Sequence, residues 1–436
     1  MISLWEDTAL PHFPRLRGDT KTDVLIIGGG MAGLLTAHFL RQSGVHCIVA
    51  EAAQIGSSTT KGTTAKVTSQ HGLLYRKMAE KYGAETAGLY LEANEKAIRA
   101  FRELCRETNC SWEDQDSFLY SPADRGSLEA ELETLQFLHF PAEYEENLPL
   151  PFPTVGAVKF PNQGQFHPLK FLKDITEGLL IYENTPVREI RNHYAVTDHG
   201  IIFADSFIVS THFPFLNKHG SYFMKLYQSR SYVLGLENTP AFPGIYRDAD
   251  EKGLSFRHYG STLLLGGGGQ RTGKESRGWA ELEEKAQEYW PGAVISHRWA
   301  AQDCMSLDGM PYIGQYSKNT PNLYVATGFS KWGMTSSMVS AKILTDLVQR
   351  VYNPYAEIFS PSRSMFHKQL GVNLLESTKN LLTPTAPRCP HLGCALKWNK
   401  AERSWDCPCH GSRFQQDGTL IDNPSTGDLQ EPPKKS

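Results

Sequence analysis

The densest run of reactive side chains in this 436-residue sequence is RCPHLGCALKWNKAERSWDCPCHGSRF, Arg388 to Phe414, with four cysteines and two histidines. Their spacing limits the chemistry. Cys389-x-His391 forms one half and Cys407-x-x-His410 the other. Two thiolates and two imidazoles can hold either a zinc ion or an iron–sulfur cluster. Zinc hairpins usually pair a C-x2–4-C with an H-x3–5-H. Here each half mixes one cysteine with one histidine, which suits a two-iron cluster with cysteines on one iron and histidines on the other. Cys394 and Cys409 have no part in a zinc site. A structural zinc hairpin stays open as the alternative, to be decided by metal analysis and colour.

A second motif lies near the N-terminal end. Gly28-Gly29-Gly30-Met31-Ala32-Gly33 fits G-x-G-x-x-G, follows the apolar run TDVLII and opens the helical pattern LLTAHFLRQSG. Gly28 permits the tight turn, Gly30 lets the backbone approach a pyrophosphate, and Gly33 lets helix and strand pack closely. The helix N-terminus then presents free N–H groups to the phosphates. Glu51 follows the next apolar run, where an acid accepts hydrogen bonds from an adenosine ribose. This context predicts a dinucleotide. A second run, LLLGGGGQRTG, lacks the third glycine, because Arg271 stands there. Gly266–Gly269 therefore reads as a turn, and a second nucleotide site is not expected.

Both regions resemble known families. CPHLGC and CPCHGS match the two boxes of Rieske proteins. The resemblance implies Cys389 and Cys407 on one iron, His391 and His410 on the other, and a disulfide between Cys394 and Cys409. It also places Ser412 to donate to a cluster sulfide. Phe414 stands where high-potential respiratory Rieske proteins carry a tyrosine, which implies a lower potential here. Trp398 and Trp405 are expected beneath the cluster. The segment GSSTTKGTTAKVTSQHG, DGMPYIG and PNLYVATGFSKWGM resemble the flavin-contacting segments of the D-amino-acid oxidase/glycine oxidase type of flavoprotein. That resemblance implies FAD, touched by Ser58, Thr59, Thr60, Thr63, Thr64 and Ala65, by the Val187 backbone at the adenine, and by Gly328, Lys331, Trp332 and Gly333 at the ring. Lys331 would stabilise negative charge on reduced flavin.

The substrate is less legible. Glycine-oxidising relatives hold the substrate carboxylate with an arginine five residues before the D-G-x-P-x-I-G signature, where this chain has Asp303. An acid can pair with an ammonium, which tilts the reading toward an amine, although Arg257 or Arg298 could supply a clamp from elsewhere. Gln165, His167, Tyr232, Gln270 and Trp299 are further candidates for the pocket rim. Lys331, Asp303 and His71 are the candidate catalytic residues. The expected activity is oxidation of a small amine or amino acid by hydride transfer to FAD, with electrons passed singly to the Rieske cluster and on to a one-electron acceptor. The alternative is an electron-transfer protein that works with another redox protein and has no small organic substrate.

The elements that must position these groups follow from apolar periodicity. Residues 22–51 read as strand, glycine turn, helix, strand. Residues 84–107 form an amphipathic helix with Cys105 on its core face. Residues 117–165 read as irregular. A helix starts after His167 with Pro168 in its first turn. Short strands follow, and a last helix ends near Val351. The fold class expected is α/β: an FAD-binding Rossmann-like domain, an antiparallel-sheet substrate domain and a small all-β Rieske module. The expected division is 1–352 for the flavoprotein, 353–386 as a linker and 387–436 for an abbreviated Rieske domain. The net charge of −3 gives no reason to expect a nucleic-acid partner. The N-terminal segment lacks the charged and apolar regions of a signal peptide, and no run approaches the roughly 20 apolar residues of a membrane span. A cytoplasmic location is expected.

Overall fold

The computed structural model describes residues 3–384 and 387–430. The last residues of the expected linker, 385–386, and of the expected Rieske domain, 431–436, lie outside it. Three sheets organise the chain. The first has the order Tyr312–Gln315, Leu323–Thr327, Gly200–Val209, Thr20–Ile27, Cys47–Ala50, Leu180–Tyr182. Four of these five pairings are parallel, and only that of Tyr312–Gln315 with Leu323–Thr327 is antiparallel. Val24, Leu25, Ile26 and Ile27 are all buried, as a strand covered on both faces requires. The helices Met31–Gln42 and Gly333–Val348 pack together on this sheet. The second helix buries serines and threonines as well as apolar residues, and Ser337 and Ser340 return their hydroxyls to carbonyls one turn back.

The second sheet is larger and mostly antiparallel, running Val294–Met305, Tyr227–Glu237, Thr262–Arg271, Ser255–Tyr259, Ile245–Asp248, Glu113–Ser121, Gly156–Gln165, Lys66–Val67. Two expectations fail here. Residues 117–165 are not irregular: they hold the strands Glu113–Ser121 and Gly156–Gln165 and the helix Arg125–Phe137 between them. The prolines that suggested a loop cluster at 149–153, between elements. The glycine run is not a turn either. Gly266 and Gly267 pair with Val233 and Tyr232 inside the Thr262–Arg271 strand. A Cβ on Gly266 would lie 2.8 Å from the Ser255 hydroxyl, and one on Gly267 would lie 2.8 Å from a Leu254 methyl. The glycines serve close packing of the sheet, a pressure invisible in the sequence.

The third sheet has four short strands, Lys397–Asn399, Ser404–Asp406, Arg413–Phe414 and Leu420–Asp422. This is the small all-β module. The expected linker carries a helix, Lys368–Leu382, which buries Asn373 and Asn380 and turns Leu374, Leu375, Leu381 and Leu382 outward. The polar face lies inward because it makes hydrogen bonds. The Asn373 side chain bonds Arg271 and the Met224 carbonyl, and the Asn380 side chain donates to the Glu376 carbonyl while its main-chain carbonyl accepts from the Ala395 amide. No described helix is long and apolar enough to cross a membrane.

Candidate functional site

The glycine turn is built by contact. Gly28 has φ +111°, and a Cβ on Gly33 would lie 2.0 Å from the Gly28 carbonyl oxygen. Only glycine at both positions lets the helix start this close to the strand. The first helix has no cap from its own N-cap residue, so the Ala32 and Gly33 N–H groups remain for a ligand. Thr60 accepts from the Met31 amide at 3.2 Å. The Glu51 carboxylate accepts from the Gly29 amide at 2.6 Å and the Ala53 amide at 2.8 Å. Burial raises its pKa, and those amides oppose the rise. Glu51 thus closes the turn.

A cavity of about 130 Å³ opens on the second sheet, where its strands meet residues 331–334. Thr63, Thr64, Asp303, Lys331, Trp332 and Gly333 line it. Loops from distant sequence positions meet there, and the backbone is bent to let them. Gly328, Ser330 and Lys331 all have positive φ, at 71°, 50° and 75°. Two consecutive non-glycine residues in that region carry strain, which structures usually keep at working sites. Burial is the main influence on both charged groups, raising the Asp303 pKa and lowering that of Lys331; each partly offsets the shift of the other.

Three charged residues in this cavity were missed by sequence reading: Lys66, Arg247 and Glu251. No motif marks them, since they come together only when the edge strand Lys66–Val67 and the strand Ile245–Asp248 join one sheet. Lys66 and Arg247 have no carboxylate within ion-pair distance among the described residues. The Arg247 guanidinium donates instead to the Gly253 and Glu251 carbonyls. Burial is the largest influence lowering the Lys66 pKa, with Arg247 and Arg257 adding to it.

Other expected pocket residues lie elsewhere. His71 is buried behind Trp332, stacked on it at 4.6 Å. Its ring nitrogens contact the Tyr90 hydroxyl at 2.7 Å and the Thr68 carbonyl at 2.9 Å. Burial pushes its pKa down to about 3. It supports Trp332 and does not face the cavity, so it has no free nitrogen to act as a base. Arg257 is buried against Trp5 and Tyr259, and Arg298 pairs with Glu283 at the surface. His167 caps a helix and Trp299 donates to the Gly62 carbonyl. Of the rim candidates only Tyr232 lines the cavity. Thr59 also points away from it, its hydroxyl lying 3.3 Å from the Gln302 carbonyl. Val187 is buried at the start of a hairpin strand.

In the small module, Cys389 and Cys407 are buried free thiols in mutual hydrogen-bond contact. The rings of His391 and His410 stand perpendicular with centroids 4.9 Å apart. Burial lowers both imidazole pKa values, to about 4 and about 3, which keeps them neutral as ligands must be. His391 Nδ1 and both His410 nitrogens are buried without a hydrogen-bond partner. Buried polar atoms are rarely left so, and one such nitrogen on each ring fits a histidine ligand to iron. Cys394 and Cys409 are joined by a disulfide. The Cys407 sulfur lies within 4.8 Å of both, but bonded sulfurs are not thiolate ligands. The tryptophans depart from expectation. They pack on each other at 5.1 Å; Trp405 also touches the apolar core of the module, while Trp398 is exposed.

The module sits against the larger sheet. Gln228 donates to the His410 carbonyl, Gln302 donates to the Gly411 carbonyl, and Arg271 donates to the Pro408 and Cys409 carbonyls. Arg230 forms a buried ion pair with Glu402, which also pairs with Arg413. A Cβ on Gly411 would lie 2.5 Å from the Gln228 side chain, so the contact admits glycine alone.

Residues 23–347 match the family described as FAD dependent oxidoreductase, and residues 363–433 match the Rieske [2Fe-2S] domain. The chain belongs to the FAD-dependent oxidoreductase family. Its flavoprotein domain binds FAD and its Rieske domain binds a [2Fe–2S] cluster. The Rieske match begins inside the segment expected as linker. A Bacillus subtilis chain named as a Rieske 2Fe-2S iron-sulfur protein, YhfW, is 34% identical over 489 aligned residues, covering 97% of this chain and 96% of that one. Two solved structures share the fold. Glycine oxidase from Geobacillus kaustophilus has TM-score 0.66 at 18% identity, covering 79% of this chain and 99% of its own. L-proline dehydrogenase from P. horikoshii has TM-score 0.66 at 15% identity, covering 80% and 98%. This FAD-dependent oxidoreductase thus shares its fold with those two enzymes over the flavoprotein domain and carries an added iron–sulfur domain.

Proposed function

We propose that this oxidoreductase oxidises the C–N bond of a small amine or amino acid to C=N, with hydride lost from the carbon and a proton from the nitrogen, and passes the two electrons singly from flavin to Rieske cluster. When bound, FAD supplies a two-electron acceptor and the cluster a one-electron carrier. The observation that carries the reading is the cavity, which presents both signs of charge on residues without a salt-bridge partner. Lys66 and Arg247 can hold a carboxylate, and buried Asp303 can accept from an amine. A zwitterionic amino acid fits this set better than a simple polyamine, which would leave the two cations unanswered. The neighbouring amino-acid oxidase folds support the same choice.

The residues then divide the task. Gly28, Gly30 and Gly33 with the adjacent helix N-terminus hold the pyrophosphate, Glu51 the ribose and Val187 the adenine. Thr63, Thr64 and Ala65, with Gly328, Trp332 and Gly333, line the ring; Ser58, Thr59 and Thr60 carry the loop that positions them. Lys331 places a positive charge where the reduced ring gathers negative charge. Cys389, His391, Cys407 and His410 hold the two irons. A zwitterion's ammonium must lose a proton before hydride leaves the carbon, and Asp303, whose pKa burial raises, and Glu251 are the carboxylates of the cavity that can take it. The strand Val294–Met305 is the wall between the two sites: Asp303 faces the cavity, while its neighbour Gln302 reaches the cluster loop.

The test is anaerobic mixing of the oxidised holoenzyme with a panel of amines and amino acids. The expected result is bleaching of the flavin by an amino acid, followed by a rhombic electron paramagnetic resonance signal from the reduced cluster. Bleaching by no member of the panel, with ready reduction by another redox protein, would favour the electron-transfer alternative.

A further inference from the structure

Both histidines of the Rieske module turn toward the flavoprotein domain. The His391 Nε2 atom lies 3.0 Å from Oδ1 of Asn217. That oxygen can only accept, so Nε2 carries the proton and donates. The other nitrogen, Nδ1, is buried without a partner and is the one left for iron. The buried His410 ring meets the Phe223 ring edge-on, with centroids 6.4 Å apart. Phe213 stands edge-on to both imidazoles, with centroids 6.2 Å and 6.1 Å away. Asn423 ties the module to the same place by donating to the Phe213 carbonyl at 3.0 Å. Every one of these partners comes from residues 213–223, which follow the strand Gly200–Val209 and carry no expected cofactor ligand.

An acceptor on the outer N–H of a metal-bound imidazole has a definite consequence. It draws that proton outward, leaves the ring a stronger electron donor, and favours the more oxidised iron. We propose that residues 213–223 are an internal receptor for the histidine edge of the cluster. Within it Asn217 is a positioning residue that fixes the His391 ring with Nδ1 inward and lowers the reduction potential of the cluster. This rests on the assignment of His391 as a ligand made above, but not on any substrate.

The test is a redox titration of the holoprotein followed by electron paramagnetic resonance of the reduced cluster. Asn217 is exposed, so substitutions there leave the fold in place. Asn217→Leu removes the acceptor and is expected to shift the midpoint upward. Asn217→Asp strengthens the acceptor and is expected to shift it downward. Asp also adds a negative charge, so Lys218→Gln serves as the control: it makes the same change in net charge at the next residue without an acceptor for His391. The Asp shift should exceed the Lys218→Gln shift. An unchanged midpoint in Asn217→Leu, or equal shifts in Asn217→Asp and Lys218→Gln, overturns the proposal. A wild-type holoprotein without a Rieske signal on reduction overturns the ligand assignment and this inference with it. Normal shifts in a protein whose flavin no amine or amino acid bleaches leave the inference standing and remove the proposed activity.

Discussion

At the scale of single residues, the Rieske boxes show how much chemistry a few positions carry. Ser412 Oγ accepts from the Ser425 amide at 2.9 Å, which leaves its own proton to be donated elsewhere. Phe414 is fully buried in the core that holds Cys389 and Cys407. It has no hydroxyl to donate. Phe414→Tyr is therefore expected to raise the cluster midpoint in a redox titration; an unchanged midpoint would mean that the added hydroxyl finds another partner. His71 teaches the opposite lesson. A histidine after a flavin loop suggests catalysis, yet its two nitrogens are already engaged and its ring supports Trp332. The type of residue was legible, and its partners were not.

At the scale of elements, the strand–turn–helix beginning at Thr20 was readable because one apolar run, three glycines and an acid enforce each other. The same unit makes a sharp prediction. Gly33→Ala puts a methyl group 2.0 Å from the Gly28 carbonyl oxygen, and backbone atoms cannot turn aside as a side chain can. Overpacking of this kind costs about 1–3 kcal/mol or more, and here the strain falls on the phosphate-binding turn. The variant is expected to purify with little flavin, seen as loss of visible absorbance per mole of protein, while wild-type protein retains it. The Lys368–Leu382 helix was not readable. Its leucines face outward and its asparagines inward, so an amphipathic pattern pointed to no core. Only the Asn373 hydrogen bonds to Arg271 and Met224 explain why the polar face is the buried one.

At the scale of the whole molecule, a small module is held against a large domain largely by polar contacts. Glu402 is the centre of this contact, and its side chain and those of Arg230 and Arg413 are each less than a tenth exposed. Burial alone raises the Glu402 pKa, but the two guanidiniums outweigh it and leave the carboxyl below its ordinary range. A carboxyl with a depressed folded pKa stabilises the docked state fully above its ordinary pKa of about 4.3 and loses that contribution as pH falls toward the folded value. Docking is thus expected to persist through neutral pH and weaken in acid. Glu402→Gln leaves Arg230 buried with only Asp422, at 3.9 Å, for a carboxylate. Breaking a buried pair costs about 3–5 kcal/mol. Arg413 keeps Asp406 and Asp422, so the low end applies. The urea midpoint for loss of cluster absorbance should fall, while that for loss of flavin should move less. Equal movement of both would show that the two domains unfold as one unit.

By itself the sequence determined the two cofactors. A glycine turn between an apolar strand and a helix can do little except hold a dinucleotide, and two Cys–His boxes are specified by local spacing. It also determined that these sites lie at opposite ends of the chain. Only the tertiary structure decided that they face each other across the strand Val294–Met305, that Lys66 and Arg247 join Asp303 in one cavity, and that Asn217 reaches His391. The physical reason is common to all three. Local spacing fixes groups that share a turn or a hairpin, whereas charges on separate strands meet only through sheet register and domain docking. Those depend on pairings among residues hundreds of positions apart, which no local pattern records.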